Sequence, residues 1–136
     1  MSHSLYATEV NVAKRVAREV GKYLLTARGS NTIVKQPHGE GFLDVTTHAD
    51  LEAERMVLEV LTQNFPNDHV LSEETHTDYS PDWERMWIVD PLDGTTNYVK
   101  GLDAYGVSIA FAEKGKTVVG AVYLPEREKL FYAERG

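Results

Sequence analysis

The spacing of hydrophobic positions changes along the chain. From Leu5 to about Arg28, Tyr6, Val10, Ala13, Ala17, Val20, Leu24 and Ala27 recur at alternating spacings of four and three, which predicts an amphipathic helix. Gly29, Ser30 and Asn31 stop it. Ile33–Lys35 reads as a short extended piece and Gln36–Gly41 as a flexible loop. A second helix is predicted from about Ala49 to Asn64, on a stripe of Ala53, Met56, Val57, Val60 and Leu61. Glu52, Glu54, Arg55 and Glu59 fall mostly outside that stripe. Thr47 and Asp50 have the spacing of a capping box, with Asp in place of Glu, and Phe65-Pro66-Asn67 ends the helix.

After this point the period shortens. His69–Ser72 reads as a short strand, followed by Glu73 and Glu74, and Thr75–Glu84 as a polar loop. Met86–Val89 is a buried strand that runs into Asp90. Gly106–Glu113, Thr117–Leu124 and Lys129–Ala133 read as a three-strand antiparallel meander. Lys114-Gly115-Lys116 and Pro125-Glu126-Arg127-Glu128 supply its turns. No repeat, low-complexity tract or linker divides the chain.

Composition narrows the function classes. A chain of 136 residues, 42% hydrophobic and 26% charged, is that of one soluble globular domain. A net charge of −7 argues against binding polyanions through a basic surface, so no nucleic-acid partner is expected. The absence of cysteine excludes disulfides, thiolate metal sites and a cysteine nucleophile. No apolar run approaches the roughly 18 residues of a membrane span. The first ten residues, MSHSLYATEV, lack a signal-peptide pattern, so a cytoplasmic protein with no membrane partner is expected. The acid is unevenly placed: 14 of the 21 acidic residues, but 2 of the 14 basic ones, lie between Glu40 and Asp93. Such a stretch is either solvated surface or includes carboxylates that converge on a cation.

The segment Trp87–Asn97, WIVDPLDGTTN, carries the chemistry. An apolar strand delivers Asp90 at its C-terminal end, where open α/β-type sheets place their chemistry. Pro91 fixes the exit from the strand. Asp93 follows three residues later, close enough for both carboxylates to share or bridge cations. Gly94 allows a close backbone approach, and Thr95-Thr96 begins a short helix whose free N–H groups suit an oxyanion. Metal ligands beside an anion cradle are the parts needed for phosphoryl hydrolysis. The competing reading is a turn in which Asp93 merely caps Thr95 or Thr96.

DPLDGTTN, preceded by WIV, resembles the signature of the inositol monophosphatase family of Mg²⁺-dependent, lithium-sensitive phosphatases. Three further stretches agree in order. LSEET resembles the family's strand ending in a Glu-Glu pair. DVTTHAD resembles its segment opening the second helix. GVSIAF resembles a central sheet strand. Thr95-Thr96-Asn97 is similar to the inositol monophosphatase branch rather than to fructose-bisphosphatases (Ser-Ser-Asn) or adenosine bisphosphate phosphatases (Thr-Lys-Glu).

The resemblance implies an α+β, layered α/β/α/β/α sugar-phosphatase-like fold. This chain would supply its N-terminal part, two helices packed on a mainly antiparallel sheet. Residues 1–136 would be the N-terminal portion of a single domain, because family members are about twice as long. The expected explanation is a truncated chain or an incomplete sequence, with a split protein whose other half is a separate chain as the alternative. The absent half would add an Asp ligand and the contacts that recognise the alcohol. By resemblance, Glu73, Asp90 and the carbonyl of Leu92 hold one Mg²⁺, Asp90 and Asp93 a second, and Glu73 also reaches a third. Gly94 and Thr95 offer N–H groups to the phosphate of a small phosphorylated alcohol such as myo-inositol 1-phosphate. Thr95, with Glu73 or Asp50, orients and deprotonates a metal-bound water, and no covalent intermediate forms. The substrate contacts are thus Glu73, Leu92, Asp93, Gly94 and Thr95. Lys35 resembles an upstream family lysine, and Glu74 is either a supporting group or an exposed acid. His3, His38, His48, His69 and His76 are expected to be structural or exposed. A homodimer is implied at full length. The alternatives are a related fructose-1,6-bisphosphatase or adenosine bisphosphate phosphatase, or an inactive cation-binding or interaction module.

Overall fold

The computed structural model describes residues 4–29, 33–35 and 46–136. The Gln36–Gly41 loop, Asp44 and Val45 of the DVTTHAD segment, Ser30, Asn31, His3, His38 and the Lys35 side chain lie outside the described residues.

Helix α1, Ala7–Ala27, begins two residues after the expected start. Its predicted stripe is buried at Val10, Ala13, Ala17, Val20 and Leu24, and Val12 and Val16 widen it. Helix α2, His48–Asn64, opens on the predicted capping box. Thr47 Oγ1 accepts from the Asp50 amide at 3.3 Å, and Asp50 Oδ2 accepts from the Thr47 amide at 2.8 Å. One expectation for this helix is overturned. Glu54 is 1% exposed and belongs to the buried face, because it lies one turn after Asp50, one turn before Val57 and two turns before Leu61.

A short antiparallel ladder pairs β1, Ile33–Lys35, with β2, Thr46–Thr47. The main sheet holds β3 (His69–Ser72), β4 (Arg85–Asp93), β5 (Gly106–Glu113), β6 (Lys116–Leu124) and β7 (Lys129–Glu134), in chain order. The β5–β7 meander is antiparallel as predicted, and β4 joins it antiparallel to β5. The β5–β6 turn is one residue shorter than expected. Lys114 and Gly115 make it alone, at φ 52° and 78°, the positive values of a two-residue hairpin loop. Strand β4 does not end at Val89. It continues through Pro91 to Asp93, and a register irregularity between Asp90 and Asp93 accommodates a residue with no N–H for the ladder.

Strand β3 pairs parallel to β4. A parallel pair requires a crossover of about a dozen residues, which accounts for the length of the polar loop between them. That loop folds back with Trp83 stacked on His69 at 4.3 Å and the Tyr79 ring edge-on to Trp83.

The α+β core lies between the helices and one sheet face, with α1 over β5, β6 and β7 and α2 over β4. Trp87 sits at its centre, 5.0 Å from the Phe111 ring and 5.1 Å from Phe65, and its Nε1 donates to Asp68 Oδ2 at 3.0 Å. Gly21 lets α1 approach β6 closely, since a Cβ there would lie 2.3 Å from the Tyr123 ring. On the sheet, Ile88, Val122 and Phe131 remain exposed. Among the described residues, no helix is long and apolar enough to cross a membrane.

Candidate active site

Parallel pairing sets the site. Ser72 is opposite Val89, so the next residues of the two chain segments are Glu73 and Asp90. Both carboxylates therefore emerge at the same end of adjacent strands. Asp93 follows across the β4 irregularity, opposite Gly106.

Asp90 records the crowding. Its carboxyl is half-buried, and Oδ1 is fully buried with no hydrogen-bond partner. Burial, then the charges of Glu73 and Asp93, a hydrogen bond with Asp93 and the charge of Asp50 push its pKa up from 3.8 to about 7.

Gly94 turns the chain from β4 into the short helix α3, Thr95–Val99, at φ +86°. A Cβ here would stand 2.7 Å from the Ala104 carbonyl oxygen, so the turn requires glycine twice over. Helix α3 starts at the predicted residue and places Thr95 against α2. Thr95 Oγ1 donates to Asp50 Oδ1 at 2.8 Å, with the Leu92 carbonyl 3.3 Å away. Asp50, 4% exposed, uses its other oxygen for Thr47, accepting from its amide at 2.8 Å and its hydroxyl at 2.6 Å. One carboxylate thus caps α2 and holds Thr95.

The fold accordingly gathers Asp50, Glu73, Asp90, Asp93, Gly94 and Thr95, with the Leu92 carbonyl beside them. Glu74 is half-buried; His48, His69 and His76 are exposed. Among the described residues, no three His, Asp or Glu side chains converge tightly enough to form a ready-made cation cage. The donor chemistry nevertheless fits Mg²⁺. The acids are oxygen donors of one sign, and the buried Asp90 Oδ1 lacks the partner a cation would provide. A cleft of about 340 Å³ opens beside Asp93, lined in part by Tyr105, Ser108, Val122, Leu124 and Arg127.

Sequence reasoning missed Arg28, whose position just after α1 carries no signal in its neighbours. Its Nε donates to the Tyr98 carbonyl at 3.2 Å, and its terminal nitrogens donate to the Asn97 and Leu102 carbonyls and pair with Glu126 at 2.5 Å. The guanidinium also lies 4.9 Å from the Tyr105 ring centroid. Arg28 therefore adds a charged donor to carbonyls at and just beyond the far end of α3, where Asn97 and Tyr98 also accept from the Leu102 and Gly101 amides.

The model of the inositol monophosphatase family matches residues 6–136. The Nus factor SuhB of Pasteurella multocida is 38% identical over 133 residues, covering 93% of this chain and 47% of that protein. The fructose-1,6-bisphosphatase/inositol-1-monophosphatase of Thermotoga maritima is 34% identical, covering 90% of this chain and 46% of that protein. The crystal structure of the extragenic suppressor protein SuhB from Bartonella henselae superposes with a TM-score of 0.85 at 34% identity, covering 95% of this chain and 50% of that one. The chain spans about half the length of the curated relatives it matches.

Proposed function

The chain belongs to the inositol monophosphatase family, and on that footing we propose that it is the N-terminal part of a Mg²⁺-dependent phosphomonoesterase. Its substrate is myo-inositol 1-phosphate or a similar small alcohol phosphate, cleaved to the alcohol and inorganic phosphate. The observation that carries this reading is the parallel register that sets Glu73 next to Asp90, whose buried oxygen has no partner.

In this reading Glu73, Asp90 and the Leu92 carbonyl hold one Mg²⁺, Asp90 and Asp93 a second, and Glu73 contributes to a third. When bound, the cations supply positive charge that offsets both the acids and the phosphate oxygens. The chain's own residues do the rest. Asp50 Oδ1 accepts a hydrogen bond from the Thr95 hydroxyl, which leaves the lone pairs of that oxygen to accept from and orient a water. Glu73 accepts the proton that this water loses. The amides of Gly94 and Thr95 donate to the phosphate. We place the residues that choose the alcohol outside residues 1–136, and a homodimer is expected at full length.

The test uses a protein carrying this chain at the full length of its relatives. Asp93→Asn is expected to abolish Mg²⁺-dependent phosphate release from myo-inositol 1-phosphate, and unchanged release refutes the ligand assignment. A panel with fructose 1,6-bisphosphate and an adenosine bisphosphate separates the substrate classes, and faster release from either overturns the choice of alcohol phosphate.

A further inference from the structure

We propose that Glu54 is a positioning residue for Glu73, clamping from α2 both ends of the turn that presents Glu73 beside Asp90. The consequence for Mg²⁺ rests on the phosphatase reading above; the clamp itself does not.

Helix α2 carries two buried carboxylates one turn apart on the same face. Each reaches a different part of the site. Asp50 holds Thr95, as described. Glu54 Oε1 accepts from Ser72 Oγ and from the Thr75 amide, the latter at 3.1 Å. Ser72 and Thr75 bracket Glu73 and Glu74, so a single oxygen ties down the residues on both sides of the pair. The Ser72 amide also donates to the His76 carbonyl at 2.7 Å, closing the turn on itself.

Helix packing does not require this arrangement. Glu54 is 1% exposed and Ser72 4%, and Glu54 Oε2 is buried without a hydrogen-bond partner. A leucine or methionine would fill the same place in the core without burying an acid. The expense is explained by what the turn must withstand. The parallel register sets Glu73 beside Asp90, so two acids of like charge face each other at the end of β3 and β4. Repulsion pushes Glu73 outward, and the tether from Glu54 resists that movement through the backbone. Glu54 thus acts on Glu73 through the hydrogen bonds that hold the turn.

The experiment compares Glu54→Gln, Glu54→Ala and Ser72→Ala with the wild type at the full length of the relatives. Glutamine keeps an oxygen that can accept both hydrogen bonds; alanine keeps neither. In metal-free protein, amide hydrogen exchange at Thr75 is expected to accelerate in Glu54→Ala and to stay protected in Glu54→Gln. In calorimetric titration with Mg²⁺ alone, Glu54→Ala is expected to weaken binding by about 10-fold or more, with Glu54→Gln restoring it to within about 3-fold. Phosphate-release kinetics should show the same shift in Mg²⁺ half-saturation, with a much smaller change in KM for the phosphate ester. If Glu54→Ala does not fold, Ser72→Ala, which removes one hydroxyl, is expected to show the same shifts in smaller measure. A folded Glu54→Ala or Ser72→Ala with wild-type exchange and Mg²⁺ affinity overturns the proposal. So does a Glu54→Gln as impaired as Glu54→Ala. A wild-type protein that neither binds Mg²⁺ nor releases phosphate refutes the phosphatase reading instead, and the exchange measurement still decides the clamp.

Discussion

Replacing Asp90 with Asn should stabilise the metal-free chain at neutral pH while destroying its use for Mg²⁺. Moving a carboxyl from 3.8 in the unfolded chain to about 7 in the folded one costs at most about 4 kcal/mol once the unfolded state is fully ionised. Solvent reaches the half-buried group, and screening brings the expected figure to about 1–2 kcal/mol. The sign follows from proton counting. Below about pH 4 Asp90 is protonated in both states and costs nothing. Between about pH 4 and pH 7 the unfolded chain releases the proton and the folded chain keeps it, so wild-type stability declines as pH rises. Above about pH 7 both states are ionised and the deficit is constant. Asparagine has no such titration. Urea unfolding in EDTA, followed by the fluorescence of buried Trp87, should therefore give an Asp90→Asn advantage that grows from acid to neutral pH. Added Mg²⁺ should reverse the order, because a ligand that binds only the folded state stabilises it in proportion to the logarithm of its concentration. An advantage that does not change across this pH range, or a variant less stable than wild type in EDTA at neutral pH, refutes the reasoning.

Gly94→Ala should cost about 2–4 kcal/mol in the same urea assay, since it meets both a positive φ and the Ala104 carbonyl at 2.7 Å; a loss below about 1 kcal/mol would show that the turn relaxes. Arg28→Met keeps the aliphatic stem but abandons the carbonyls at the end of α3, with an expected loss of about 1–2 kcal/mol. Hydrogen exchange should quicken over Thr95–Val99 while Trp87 and its neighbours in β4 stay protected, and uniform acceleration across the sheet would contradict this local role.

The α1 stripe and the β5–β7 meander were readable from the chain because each rests on a local rule, the helical period and the alternation of a half-covered sheet. The DPLDGTTN motif marked Asp90, Asp93, Gly94 and Thr95 as a group, and α3 begins where its Thr pair indicated. What was not readable is long-range or accommodated. Nothing in His69–Ser72 says that its neighbour runs parallel, yet that direction is what brings Glu73 to Asp90. Pro91 looked like the end of a strand because proline lacks a donor, and the irregular register absorbed that lack. Glu54 looked like surface because acids on amphipathic helices usually are. Its turn-by-turn alignment with Asp50, Val57 and Leu61 was the available sign that it faces inward. Arg28 finds its partners, the carbonyls at the end of α3 and Glu126, about 70 to 100 residues further along the chain.

The parallel pair also has a kinetic side. Strands β5, β6 and β7 are linked by tight hairpins that can zip from their turns, with little loop entropy to overcome. Strand β3 has no such route. It reaches β4 only after the long polar loop closes, and Asp50 and Thr95 meet across 45 residues of chain. The meander can therefore form as a scaffold first, and Glu73 and Asp50 can then join Asp90 and Asp93 when a nearly complete sheet is present to bear their repulsion. A cation arriving at that stage would reward the final docking step and so draw the whole assembly toward completion.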